Sequence, residues 1–109
     1  MRPTESCADE RLRALYAALA QVPPGKVVSY GQLGELAGLP RAARWVGRCL
    51  SRLPEASNLP WHRVVAAGGR LSLPADSPAG AEQRRRLAAE GVSIRGARLD
   101  IRRHGWLPA

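Results

Sequence analysis

The sequence predicts a mainly α-helical fold with a small β-hairpin, arranged as a winged helix-turn-helix. Three observations carry that prediction. Apolar residues recur at helical spacing near the N-terminus and again around Val46. Two short helical stretches are separated by little more than Gly38-Leu39-Pro40, the kind of break that joins the helices of a helix-turn-helix. The β-branched pair Val64-Val65 is followed by Gly68-Gly69 and a second apolar stretch, the pattern of a hairpin. With 109 residues, 45% of them hydrophobic and 24% charged, the chain is expected to form one globular domain over residues 1–109.

The first helix is expected over residues 4–22. Thr4 and Ser6 are capping-type residues, and Leu12, Leu15, Tyr16 and Leu19 follow on one face. Val22-Pro23-Pro24-Gly25 ends it, because proline cannot continue the hydrogen-bond ladder. Val27-Val28-Ser29-Tyr30 reads as a short extended link, with Ser29 as N-cap of a second helix, 30–37, whose Leu33, Leu36 and Ala37 face inward. A third helix is expected over 40–53 with Pro40 in its first turn. It carries Arg41, Arg44, Arg48 and Arg52 close to one stripe, opposite Val46, Cys49 and Leu50. Pro54, Ser57 and Asn58 mark a loop. Val64-Val65-Ala66 and Arg70-Leu71-Ser72-Leu73 are the expected hairpin strands, and they form the wing. Pro74 to Gly80 reads as a flexible loop and 81–90 as a fourth helix stopped by Gly91. Ile94, Leu99, Ile101 and Trp106 are apolar anchors in a basic tail.

Charge narrows the function. Seventeen basic residues, all arginine except Lys26, stand against nine acidic ones, for a net charge of +8. A GC-rich genome would explain arginine over lysine but not the positive balance. Such an excess on a small domain points to a polyanion, nucleic acid first. A stripe of arginines is usually a solvated helix face; four without an acidic neighbour repel one another, and a phosphate backbone relieves that. The run Arg84-Arg85-Arg86 reads equally as a solvated face or as phosphate contacts. Ala42 and Ala43 cannot read base edges by hydrogen bonding, and small residues beside arginine suit a helix pressed into the minor groove.

No apolar run approaches a membrane span, and no signal peptide is evident. Cys7 and Cys49 lack metal-ligand spacing with each other or with His62 and His104, so no metal and no cofactor are expected. A monomeric cytoplasmic, nucleoid-associated protein with free thiols and no membrane partner is the simplest expectation.

Three motifs in order carry a resemblance: Tyr30-Gly31-Gln32-Leu33, Arg41-Ala42-Ala43-Arg44-Trp45-Val46-Gly47 and Pro60-Trp61-His62-Arg63-Val64-Val65. Together they resemble the DNA-binding, C-terminal domain of O6-alkylguanine-DNA alkyltransferases over roughly residues 8–93. That family carries a Pro-Cys-His-Arg-Val active site. Trp61 stands where the acceptor cysteine would be, and an indole offers no nucleophile for alkyl displacement. The replacement is the mark of the alkyltransferase-like proteins, which bind alkylated guanine without repairing it and present the complex to nucleotide excision repair.

The resemblance implies roles for individual residues. Arg44 is the finger that enters the base stack, and Tyr30 crowds the phosphate of the flipped nucleotide. Arg41, Ala42, Ala43, Trp45, Gly47 and Arg48 complete the DNA-binding surface. Flipping costs a few kcal/mol of stacking and pairing, which these contacts offset in part. The lesion pocket is expected to comprise Tyr30, Pro60, Trp61, His62, Arg63, Val64, Leu73, Pro74 and Glu90. Trp61 is its apolar wall, His62 and Glu90 are an inherited hydrogen-bonded pair that braces it, and Arg63 holds its loop by backbone contacts. The loop 72–80 covers it, with Leu73 and Pro74 where some relatives place an arginine. Trp45 could wedge against a base step or pack against the wing; both readings stay open.

The expected partners are therefore double-stranded DNA containing O6-alkylguanine and nucleotide excision repair proteins. Two other functions compete: a winged-helix regulator indifferent to alkylation, and an alkyltransferase using Cys49 or Cys7.

Overall fold

The organising feature is a two-residue parallel strand pair that separates two apolar cores. β1 (Val28–Ser29) runs beside β2 (Val64–Val65), with Val28 opposite Val64 and Ser29 opposite Val65. Successive strand residues point to opposite faces. Val28 and Val64 accordingly enter one core, with Leu15, Leu19, Val22, Leu33 and Val46. Val27 and Val65 enter the other, with Leu71, Leu87, Val92 and Leu99. The structure, a computed structural model, describes residues 3–54 and 57–106, the first seven of these by backbone alone.

The first core is helical. α1 (Pro3–Ala20) buries Leu15 and Leu19 completely, while Leu12 and Tyr16 are half-buried beside them. Thr4 and Ser6 lie inside this helix, and their expected capping, like the environment of Cys7, falls outside the described side chains. α2 (Tyr30–Leu36) starts on a capping box: Ser29 Oγ accepts from the Gln32 N–H at 3.1 Å, and Gln32 Oε1 accepts from the Ser29 N–H at 2.9 Å. It ends with Gly38 at φ 80°, where the Leu39 N–H reaches the Gly34 carbonyl at 2.8 Å and the Gly38 N–H reaches Glu35 at 2.9 Å. Leu36, expected inside, is the last residue of α2 and is 42% exposed.

α3 (Ala43–Ser51) is shorter than the expected 40–53. Arg41 adopts φ 59°, a left-handed conformation that no helix interior contains. Pro40, Arg41 and Ala42 therefore belong to the turn, and Arg52 is the C-cap. Of the arginine stripe, only Arg44 and Arg48 ride on the helix itself.

The hairpin lies elsewhere than expected. Val64-Val65 pairs with β1 rather than with Arg70–Leu73. Both valines are buried, and a continuous apolar run buried on both faces suits a parallel strand better than an edge hairpin. Gly68 and Gly69 make a tight turn at φ 75° and 86°, and Gly69 lies so close to Leu99 that a Cβ would fall 2.5 Å from the Leu99 carbonyl oxygen. The antiparallel hairpin is β3 (Ile94–Arg95) with β4 (Arg98–Leu99), and Arg70 bridges to its outer edge at Arg98.

α4 (Pro78–Ala89) begins before the expected 81, because Ser77 caps it and Pro78 sits in its first turn. The final residues of the expected 74–80 loop are thus helical. Gly80 allows the loop to fold back, since a Cβ there would overlap the Pro74 carbonyl. α5 (Ile101–His104) follows the hairpin, and the chain then runs along β1, with Val27 donating to His104 and Trp106 donating to Val27, each at 2.8 Å.

Candidate functional site

The α2–turn–α3 unit presents a basic surface. Arg41, Ala43, Arg44, Arg48 and Arg52 are all exposed, and none of these arginine side chains has a hydrogen-bond or ion-pair partner among the described residues. Ala42 is different. It is half-buried against the first core, facing Gly34 of α2, so it helps set the approach of the two helices. Trp45 is half-buried. It packs against the first core with the Arg11 guanidinium of α1 over its ring, 5.6 Å from the centroid. Gly47 is half-buried, and a Cβ there would meet nothing within 4 Å. Tyr30 heads α2, packs on the first core and brings its hydroxyl to 3.5 Å from Ser72 Oγ.

The second feature is the corner after Pro60. Trp61–Arg63 form a 3₁₀ turn that feeds directly into β2. This turn buries His62, 6% exposed, and leaves Trp61 half-covered at the surface. His62 Nε2 lies 2.8 Å from Glu90 Oε2. Arg63 donates to the same carboxylate through Nη2 at 2.6 Å and through Nε at 3.1 Å to Oε1. Its Nη1 donates to the Val22 carbonyl at 2.8 Å, so the expected backbone contact is one part of a larger arrangement. The Gly25 N–H completes it, 3.1 Å from Glu90 Oε1. One carboxylate at the end of α4 thus ties down the 22–25 turn and the Trp61 corner together.

These contacts set protonation. Burial would raise the Glu90 pKa, but hydrogen bonds from Arg63, His62 and the Gly25 N–H prevail and hold it at about 2. For His62 burial dominates and lowers its pKa, against the pull of the Glu90 hydrogen bond and charge. The imidazole is therefore neutral near pH 7 and donates its Nε2–H to Glu90, leaving Nδ1 buried without a partner among the described residues. Burial likewise pushes the Cys49 thiol upward, despite Arg48, Arg52 and Arg11 nearby.

Several contributors have no signal in the sequence. Gln83 is buried and donates to the His62 and Val64 carbonyls at 3.3 and 3.0 Å, which fixes the corner from beneath. The 84–86 arginine run divides its work. Arg84 Nη1 holds the Leu73 and Gly80 carbonyls at 3.2 and 3.3 Å, and so ties the Leu73-Pro74 loop to α4. Arg85 and Arg86 share Glu82, each at 2.6 Å. Arg86 also lies over the Trp61 ring, 5.6 Å from its centroid, while His62 meets that ring edge-on at 6.2 Å. The cation beside Trp61 thus comes from α4, not from the 72–80 loop. Among the described residues, no group of three His, Cys, Asp or Glu side chains is gathered as a metal site would require.

A helix-turn-helix with an arginine-lined outer helix, together with a histidine–glutamate–arginine cluster, defines a DNA-binding domain braced by a largely covered carboxylate network. The chain belongs to the 6-O-methylguanine DNA methyltransferase DNA-binding domain family, whose pattern it matches over residues 10–92. It is 47% identical over 93 residues to the DNA base-flipping protein of Escherichia coli K12, covering 84% of this chain and 70% of that one. To alkyltransferase-like protein 1 of Schizosaccharomyces pombe it is 33% identical over 105 residues, covering 92% and 97% of the two chains. The crystal structure of S. pombe Atl1 with damaged DNA containing O6-carboxymethylguanine superposes with a TM-score of 0.84 at 33% identity, over 99% of this chain and all of that one. The Mycobacterium tuberculosis O6-methylguanine methyltransferase bound to DNA matches with a TM-score of 0.63 at 33% identity, over 72% of this chain and 48% of the enzyme.

Proposed function

We propose that this protein recognises O6-alkylguanine in duplex DNA without removing the alkyl group, and that the resulting complex recruits nucleotide excision repair. The observation that carries the reading is Trp61 at the mouth of the His62–Glu90–Arg63 cluster. In the family's Pro-Cys-His-Arg-Val motif the second position holds the acceptor thiol, and here it holds an indole. A transferase needs a thiolate in line with the alkyl carbon. An indole supplies instead a broad apolar wall for an alkyl group and a partner for a purine ring.

In this reading the Arg41–Arg48 surface lies along the minor groove, and Arg44 fills the stack vacated by the extruded nucleotide. Tyr30 stands against its phosphate. Ala43 and Gly47 keep the helix surface low enough for close approach, as shape-based minor-groove binding requires. His62, Glu90 and Arg63 no longer activate anything. They hold the Trp61 corner rigid, so that less ordering is required when a base enters. The likeness to Atl1 bound to damaged DNA supports this reading, as does that to the E. coli base-flipping protein.

Alkyl transfer through Cys49 is disfavoured by the state of its thiol. That thiol packs against the first core, and its raised pKa keeps it protonated. Two measurements test the proposal. Competitive binding to matched duplexes should favour the one carrying O6-methylguanine, and equal affinity would leave only a DNA-binding regulator. Incubation with duplex carrying radiolabelled methyl groups should leave the protein unlabelled; label on the protein would overturn the non-enzymatic reading.

A further inference from the structure

Trp61 is not an isolated apolar wall. The Arg86 guanidinium carbon lies 5.6 Å from its ring centroid, within cation–π range. Arg86 is fixed in that position by its own helix: its Nε donates to Glu82 Oε2 one turn earlier at 2.6 Å. Glu82 is shared with Arg85, which grips both carboxylate oxygens at 3.0 and 2.6 Å. Two cations and one anion leave this group a surplus positive charge. Only Nε of Arg86 is engaged among the described residues, which leaves its two terminal amino groups available. They form a two-pronged donor that matches a carboxylate or phosphate. Arg86 is half-buried, so a charge beside it is less screened than on open surface.

We propose that Arg86 is a specificity-determining residue, which selects alkylguanines whose O6 substituent carries a negative charge over those with a neutral one. The inference rests on the reading that Trp61 faces the alkyl group. A substituent long enough to pass the indole then reaches the Arg86 fork. A carboxylate there forms a charge-assisted pair, whereas a methyl group gains only the contact with Trp61. The preference belongs to this chain's α4 and is independent of the 72–80 loop, where Leu73 and Pro74 offer no charge.

The test compares three duplexes identical except for guanine, O6-methylguanine or O6-carboxymethylguanine at one position. Wild-type protein and Arg86→Gln are each titrated at low and high salt, with thermal melting to confirm that both are folded. The substitution should lower the ratio of carboxymethyl to methyl affinity by about tenfold, with methyl over guanine largely kept. Arg86→Lys, which keeps the charge but loses the fork, should fall between the two. The wild-type ratio should also shrink as salt rises. An equal loss for both adducts would make Arg86 a brace for Trp61 and overturn the inference, as would an unchanged ratio. Failure of wild type to prefer methylguanine over guanine would instead overturn the lesion-recognition reading itself, so the two failures are separable.

Discussion

Trp61 and Glu90 act at the scale of single side chains, and they act differently. Trp61 is half-exposed, with His62 edge-on to its ring and Arg86 over its face. Trp61→Ala should reduce the preference for alkylated over plain duplex far more than it reduces plain-duplex affinity, measured by competition titration. Equal losses would make the indole structural. Glu90 is the opposite case, because five hydrogen bonds from three residues, Gly25, His62 and Arg63, converge on its carboxylate. Its folded pKa of about 2 lies below its ordinary value of 4.5, so its contribution is present above that value and is lost as pH falls toward 2. His62, with a lowered pKa, adds to this: below its ordinary 6.5 the unfolded chain takes up a proton that the folded one resists. Both effects make stability fall on acidification from neutral pH. Glu90→Gln should flatten the acid limb of a denaturation-midpoint series and cost on the order of 2 kcal/mol at pH 7, since it leaves Arg63 without its counter-charge.

At the scale of elements, the α2–turn–α3 unit was the most legible part of the chain. Its start depends on Ser29 and Gln32, three residues apart, and its end on Gly38. Ser29→Ala removes the Oγ half of the reciprocal cap, leaving only the backbone N–H of residue 29 to donate to Gln32, and should lower stability by about 1 kcal/mol in thermal or urea unfolding. The start of α3 was misplaced because nothing in a Pro40-Arg41-Ala42 string announces a left-handed arginine. That conformation accompanies close packing of α3 on α2, where a Cβ on Gly34 would lie 3.5 Å from both Ala42 Cβ and Val46 Cγ2. It leaves Arg44 in the first turn of α3, exposed. Arg44→Ala should reduce affinity for lesion-containing duplex by tenfold or more, with less effect on undamaged duplex, in a fluorescence-anisotropy titration. Unchanged lesion affinity would remove it from the base stack.

For the whole molecule, the net charge of +8 acts on the rate and salt dependence of DNA association rather than on the fold. If three of the exposed arginines from Arg41 to Arg52 each neutralise a phosphate, the log of affinity for undamaged duplex should fall against log salt with a slope of about −3. A flat dependence would show that this surface does not meet the backbone. The residues that make this surface, and the order Tyr30, Arg44, Trp61, His62, were readable in the sequence, because caps, charge and motif spacing are local. So was the pairing of His62 with Glu90, through family resemblance alone. Which strand would take Val64-Val65 was not readable, since a β-branched pair and a glycine pair fit a hairpin as well as they fit a parallel strand. Burial between two cores decided that, as it decided that Gln83 props the Trp61 corner and that Trp45 turns inward. The placement of Arg86 over Trp61 belongs to the same category. It depends on where α4 docks against the 3₁₀ turn, a relation between distant segments that only the packed chain specifies.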